Sequence, residues 1–137
     1  MFSTRCMTAA DWDDIEHFSA SEFNYPDSAG YEFVKWLDQV RTLAGVPMHP
    51  VSDHRPPARN EAAGGADQSA HKEIPCDAID LGKRPTADDP NWNRHRFKII
   101  QAAMRLGCTR IGIYPSGSLH LDRAEKTHPS PRLWVSV

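Results

Sequence analysis

Prolines and glycines cluster between Pro47 and Pro90, and this constrains the fold of the chain more than any other feature. A proline fixes its own φ and donates no backbone hydrogen bond, and glycine favours turns, so no long helix or strand can run through such a stretch. The sequence therefore predicts a long, loop-rich middle held between more regular ends. In a compact domain such a loop carries function or disorder.

The flanks have the periodicity that the middle lacks. From Tyr31 to Ala44, the residues Phe33, Val34, Leu37, Val40, Leu43 and Ala44 recur at three- and four-residue spacing, and Gly45 and Pro47 follow. This pattern predicts an amphipathic helix closed by a glycine. A second helix is expected to open at Asp89-Pro90, with Ile99, Ile100, Ala103, Met104 and Leu106 as its apolar stripe up to Gly107. Short runs with strand character are Met48 to Ser52, Cys76 to Leu81, Thr109 to Tyr114, Ser118 to Asp122 and Leu133 to Val137; Pro115-Ser116-Gly117 turns the fourth back on the third. With too few βαβ units for a doubly wound sheet, the order predicts an α+β domain, a small antiparallel sheet with flanking helices. A single domain over 1–137 is expected, with 1–17 as an N-terminal extension and 123–137 as a C-terminal tail.

Composition excludes several classes of function. Sixteen Lys and Arg against eighteen Asp and Glu leave a charge of −2 over 137 residues, so no basic field exists to hold nucleic acid. No uncharged apolar run approaches the roughly 20 residues of a spanning helix. The segment from Met1 to Ile15 carries Asp11, Asp13 and Asp14 in place of a signal sequence, so synthesis in the cytoplasm without a leader is expected. The acidic run reads as a solvated helix start. Cys6, Cys76 and Cys108 are too few and too widely spaced for a disulfide framework or a CxxC knuckle, which fits a reducing compartment. Trp12, Trp36, Trp92 and Trp134 read as core or edge fillers, with a glycan- or peptide-stacking role left open for one of them.

Chemistry concentrates between Ser52 and Leu81. His71, an aspartate nine residues later at Asp80, and His120 on the terminal hairpin are residue types that can converge on one divalent ion. Two imidazoles and one carboxylate leave a fourth tetrahedral position open, the arrangement of a hydrolytic zinc site. Zinc lowers the pKa of bound water to about 7 and polarises a carbonyl under attack.

The motif Arg55, Asn60, Gly64-Gly65, Ser69 and His71, continued by Ala78-Ile79-Asp80 and by Arg110 to Tyr114 with His120 and Asp122, resembles peptidase family M15. This is the family of zinc D-Ala-D-Ala carboxypeptidases, in the branch of phage and prophage cell-wall peptidases. Phe18-Ser19-Ala20-Ser21-Glu22-Phe23 and the first helix extend the resemblance toward the amino terminus. It implies a hedgehog/D-Ala-D-Ala-peptidase-like fold and a Zn2+ ion held by His71, Asp80 and His120. Arg55 is then directed to the substrate carbonyl or carboxylate, and Ser69 and Asn60 brace the loop or the substrate. The implied reaction is hydrolysis of an amide bond in peptidoglycan stem peptides, by a carboxypeptidase or an endolysin-type endopeptidase. The implied place of action is the bacterial cell wall or a phage particle, with other phage particle or lysis proteins as further partners. The alternative is a zinc-binding structural or peptide-recognition component of a phage particle that does not turn over.

Two departures from the family pattern matter. His71 and Asp80 stand nine apart where seven is usual, which makes Asp77 a rival ligand and leaves Cys76 as a further alternative. The glutamate expected three residues before the last zinc histidine is replaced by Gly117. Asp122 is then the candidate for the catalytic base or for a partner orienting an imidazole, with His54 as an outside candidate.

Overall fold

A computed structural model of the chain describes residues 2–56, 69–82 and 90–135. Asn60, Gly64, Gly65 and the helix cap expected at Asp89 lie outside the described residues. The helix expected from the first apolar stripe is α1, Tyr31–Ala44. It ends where Gly45 takes φ +67° and returns its N–H to the Arg41 carbonyl at 3.1 Å, a conformation that glycine adopts without cost. The second helix, α2, runs Trp92–Arg105 and starts two residues later than the Asp89-Pro90 signal, because Asn91 occupies the cap and Pro90 stays in the preceding turn.

Five strands form one sheet: β1 Pro50–Ser52, β2 Ala78–Leu81, β3 Arg110–Ile113, β4 Leu119–Asp122 and β5 Arg132–Val135. Their order across the sheet is β1-β2-β4-β3-β5. All neighbours pair antiparallel except β3 and β5, which run parallel, so the sheet is mostly rather than wholly antiparallel. The parallel pair arises because residues 123–131 carry the chain from the end of β4 back past β3 before β5 begins. The strand expected near Leu133 thus forms within the C-terminal tail. The domain is α+β.

Alternation along the strands divides the sheet into two chemically distinct faces. Ile79, Leu81, Ile111, Leu119 and Leu121 join Phe33, Val34, Leu37 and Val40 of α1 and Ile99, Ala102 and Ala103 of α2 in one buried cluster. The alternate residues, Ala78, Asp80, Arg110, Gly112, His120 and Asp122, share the opposite face. Each residue buried on the helical side fixes the register, since a one-residue slip would turn the polar set inward.

The amino-terminal segment is integrated with this core. Met7 and Trp12 are buried in it, the latter within a 3-10 turn at Ala10–Asp14, while Asp11 pairs with Arg5 at 2.7 Å. The acidic run is therefore a turn anchored by its tryptophan. Trp36 and Trp92 also fill the core. Among the described residues, no helix is long and apolar enough to cross a membrane.

Candidate metal centre

His71 sits in a 3-10 turn at Ala70–Lys72, whose cap residue Ser69 accepts the His71 backbone N–H on its hydroxyl at 3.2 Å. Ser69 therefore shapes the turn. The backbone of residues 53–55 grips the histidine from the other side: Arg55 N donates to the His71 carbonyl at 2.8 Å, and the Asp53 carbonyl lies 2.6 Å from His71 Nδ1. Because a carbonyl only accepts, Nδ1 carries the proton and Nε2 presents its lone pair. Asp53, given no role by the sequence reading, is buried, and its carboxylate accepts the backbone N–H groups of Asn24 and Tyr25 at 3.0 and 2.8 Å.

Strands β2 and β4 place Asp80 directly opposite His120. Asp80 Oδ1 lies 2.9 Å from His120 Nδ1 and 3.2 Å from His71 Nε2, and the two imidazole nitrogens are 3.2 Å apart. On its far side, His120 Nε2 donates to Asp122 Oδ2 at 2.7 Å, which leaves Nδ1 as the lone-pair nitrogen of the neutral ring. In these neutral tautomers three lone-pair atoms converge on one point. A tetrahedral zinc ion, with bonds of about 2.0 Å, holds neighbouring donors about 3.3 Å apart, close to the spacing found. All three residues are buried, and their donor atoms form a group suited to a metal ion. The residues fit the group that the resemblance implies.

The electrostatics agree with this fit. Burial opposes the charged form of Asp80, yet the bonds from His120 and His71 outweigh it and hold the carboxyl below the usual carboxylate range. Burial likewise opposes a second proton on His120, but Asp122 and Asp80 overcome it and raise the imidazole above its ordinary value, so a proton on Nδ1 competes with a metal ion for the same place. The pocket between these carboxylates stabilises positive charge.

Asp122 is wholly buried, at 0 % exposure. Its Oδ1 accepts from Arg110 Nε at 2.8 Å and from Ala124 N at 2.9 Å, while Oδ2 holds His120. With both oxygens engaged behind the imidazole, Asp122 fits the second of its two sequence-derived roles, orienting His120, and not that of a base reaching the open side of the site. His54 is buried edge-on against Tyr25, ring centroids 5.7 Å apart, with no hydrogen bond to the three donors. Asp77 is set away from the group: its Oδ2 accepts Ser3 N at 3.1 Å, and Gly30 is the residue packed against its other oxygen. Cys76 is buried with its thiol directed at the His71 and Ala78 carbonyls. Among the rival donors, the structure brings together Asp80 and the two histidines.

Gly117, at the position of the expected glutamate, closes the β3–β4 hairpin at φ +91°. Its N–H bonds to the Tyr114 carbonyl at 2.8 Å, and its own carbonyl accepts from Trp92 Nε1 and Arg96 Nη1 at 2.8 and 3.1 Å. A side chain in this conformation would be strained, so the turn demands glycine where the family pattern has an acid.

Arg55 reaches the centre from the loop, with Nη2 3.3 Å from Asp80 Oδ2. Its Nε is buried without a hydrogen-bond partner among the described residues. Tyr114, quoted in the motif but given no role by the sequence reading, lies beside Arg55 and edge-on to His120, ring centroids 6.4 Å apart. Burial pushes its phenol up, which keeps the hydroxyl a donor.

An α+β domain with a buried two-histidine, one-carboxylate donor set at one face of its sheet is the framework of a metallohydrolase. The family model described as Peptidase M15 matches residues 16–122, and the chain belongs to that family. M15 peptidases are zinc enzymes, so the family supports a peptidase, and His71, Asp80 and His120 are a group that could hold the metal ion. Comparison with curated proteins gives no match.

Proposed function

We propose that this protein is a zinc metallopeptidase that hydrolyses an amide bond in peptidoglycan stem peptides, acting at the bacterial cell wall after release or delivery by a phage. The observation that carries the reading is the convergence of His71 Nε2, Asp80 Oδ1 and His120 Nδ1 to within 3.2 Å of one another, beside the guanidinium of Arg55. When bound there, zinc supplies Lewis-acid chemistry, activating water and polarising the amide carbonyl. The remaining work falls to the chain itself. Arg55 holds the substrate carbonyl or a carboxylate through its planar donors. Asp122 keeps the proton of His120 on Nε2, so that Nδ1 faces the pocket. Tyr114 offers a neutral donor beside the cationic Arg55.

The test is release of free amine from purified peptidoglycan, with mass analysis of the fragments to identify the bond cut. The account predicts release that stops on chelation and returns with added zinc. Arg55→Ala should retain zinc and lose about a hundredfold or more in kcat/KM, the effect of removing one oxyanion donor. Zinc bound at one equivalent with no release from any wall preparation would favour the non-catalytic reading, in which Gly117 marks a site without its proton acceptor.

A further inference from the structure

We propose that the C-terminal strand completes the substrate cleft, and that Trp134 positions the residue flanking the scissile amide. This rests on the peptidase reading above and names the part of the substrate that the strand meets. The register of the sheet places Asp80, His120, Gly112 and Trp134 in one row across β2, β4, β3 and β5. Because Gly112 has no side chain, the indole lies over it and reaches His120, ring centroids 5.2 Å apart and planes inclined at 49°. A Cβ on Gly112 would come within 2.5 Å of the ring, so the glycine is what admits the indole to the site. Tyr114 meets the same imidazole edge-on, so two aromatic rings flank one of the three donors.

Trp134 also packs against Arg110, whose guanidinium carbon lies 5.2 Å from the ring centroid, while the other face of the strand contributes little. Leu133 and Val135, its residues on the helical side, are 70 % and 66 % exposed and add nothing to the core. Trp12, Trp36 and Trp92 are buried, whereas Trp134 is only partly covered. β5 also lies beyond residues 16–122, the part that matches the family.

The position of the indole defines what touches it. An extended peptide advances about 3.3 Å per residue, so an indole in contact with His120 meets only the residue or two beside the amide held at the centre. Its flat apolar face suits a small alkyl side chain such as that of alanine. The guanidinium of Arg132, 5.8 Å from the ring centroid and on an exposed residue, stands where a neighbouring substrate carboxylate would be drawn.

The experiment uses the zinc-loaded full chain and a glycan-free synthetic stem pentapeptide, comparing wild type, Trp134→Ala, Trp134→Phe, Gly112→Ala and the Trp134→Ala/Gly112→Ala double variant. Trp134→Ala is expected to raise KM about tenfold, the discrimination typical of one small apolar contact, with kcat and zinc affinity by chelator competition within about twofold. Trp134→Phe should keep most of the wild-type KM. Gly112→Ala should raise KM by displacing the indole, and in the double variant it should add nothing once the indole is gone. Affinity for the product peptide, measured by calorimetry, should follow the same order. An unchanged KM in Trp134→Ala overturns the proposal while leaving the peptidase reading intact. So does a loss confined to zinc affinity or melting temperature, or an effect seen only on glycan-bearing wall. A wild type that neither binds nor cleaves the pentapeptide or whole peptidoglycan overturns the peptidase reading and this proposal with it.

Discussion

Replacing Asp80 with alanine should abolish hydrolysis and lower zinc affinity by at least about a hundredfold. Zinc sites with four protein ligands gain about 10–16 kcal/mol from them, so one ligand accounts for roughly 3 kcal/mol, and each 1.4 kcal/mol is a factor of ten. Asp80 Oδ1 faces both imidazole nitrogens, and its other oxygen meets Arg55, so the substitution removes the only negative charge among the three donors. Asp77→Ala is the matched control. It should leave zinc binding unchanged and cost about 1–3 kcal/mol in stability, because the buried Ser3 N–H loses its acceptor. Zinc content and denaturant unfolding of the two variants separate ligand from scaffold, and the opposite pattern would make Asp77 the ligand.

Asp122→Ala should weaken both the fold and the metal site. Arg110 is buried against this carboxylate, and removing one partner of a buried ion pair costs about 3–5 kcal/mol because a charge is left without compensation. Zinc affinity should fall about 10–100-fold as His120 loses the acceptor that fixes its tautomer. The sequence leaves Asp122 as either the base or a partner orienting an imidazole. Its place behind His120, with both oxygens engaged, favours the second role. A variant that melts like wild type with full zinc affinity would show that the Arg110–Asp122–His120 chain has no such role.

Much of this organisation is legible without coordinates where it is local. The apolar stripe from Phe33 to Val40 and the glycine at position 45 specify α1, because periodicity and capping are properties of neighbouring residues. Asp80 is distinguishable from Asp77 on the sequence, since residues three apart on a strand face opposite sides. What stays hidden depends on long-range pairing. Nothing in Arg132 to Val135 announces a parallel partner in β3, and the contact of Trp134 with His120 exists only because Gly112 lies between them in the register. The bond from His71 Nδ1 to the Asp53 carbonyl joins segments 18 residues apart through backbone geometry, which no motif records. The glutamate missing before His120 shows the converse: the departure is visible in the sequence, but the φ of +91° that accounts for it is not.

The central claim is that His71, Asp80 and His120 form one zinc site. Elemental mass spectrometry of the purified full chain, after supply of zinc and removal of the excess, tests it most directly. The account predicts one equivalent of zinc per chain, lost when His71 is replaced by alanine. A folded protein that takes up no zinc would contradict it.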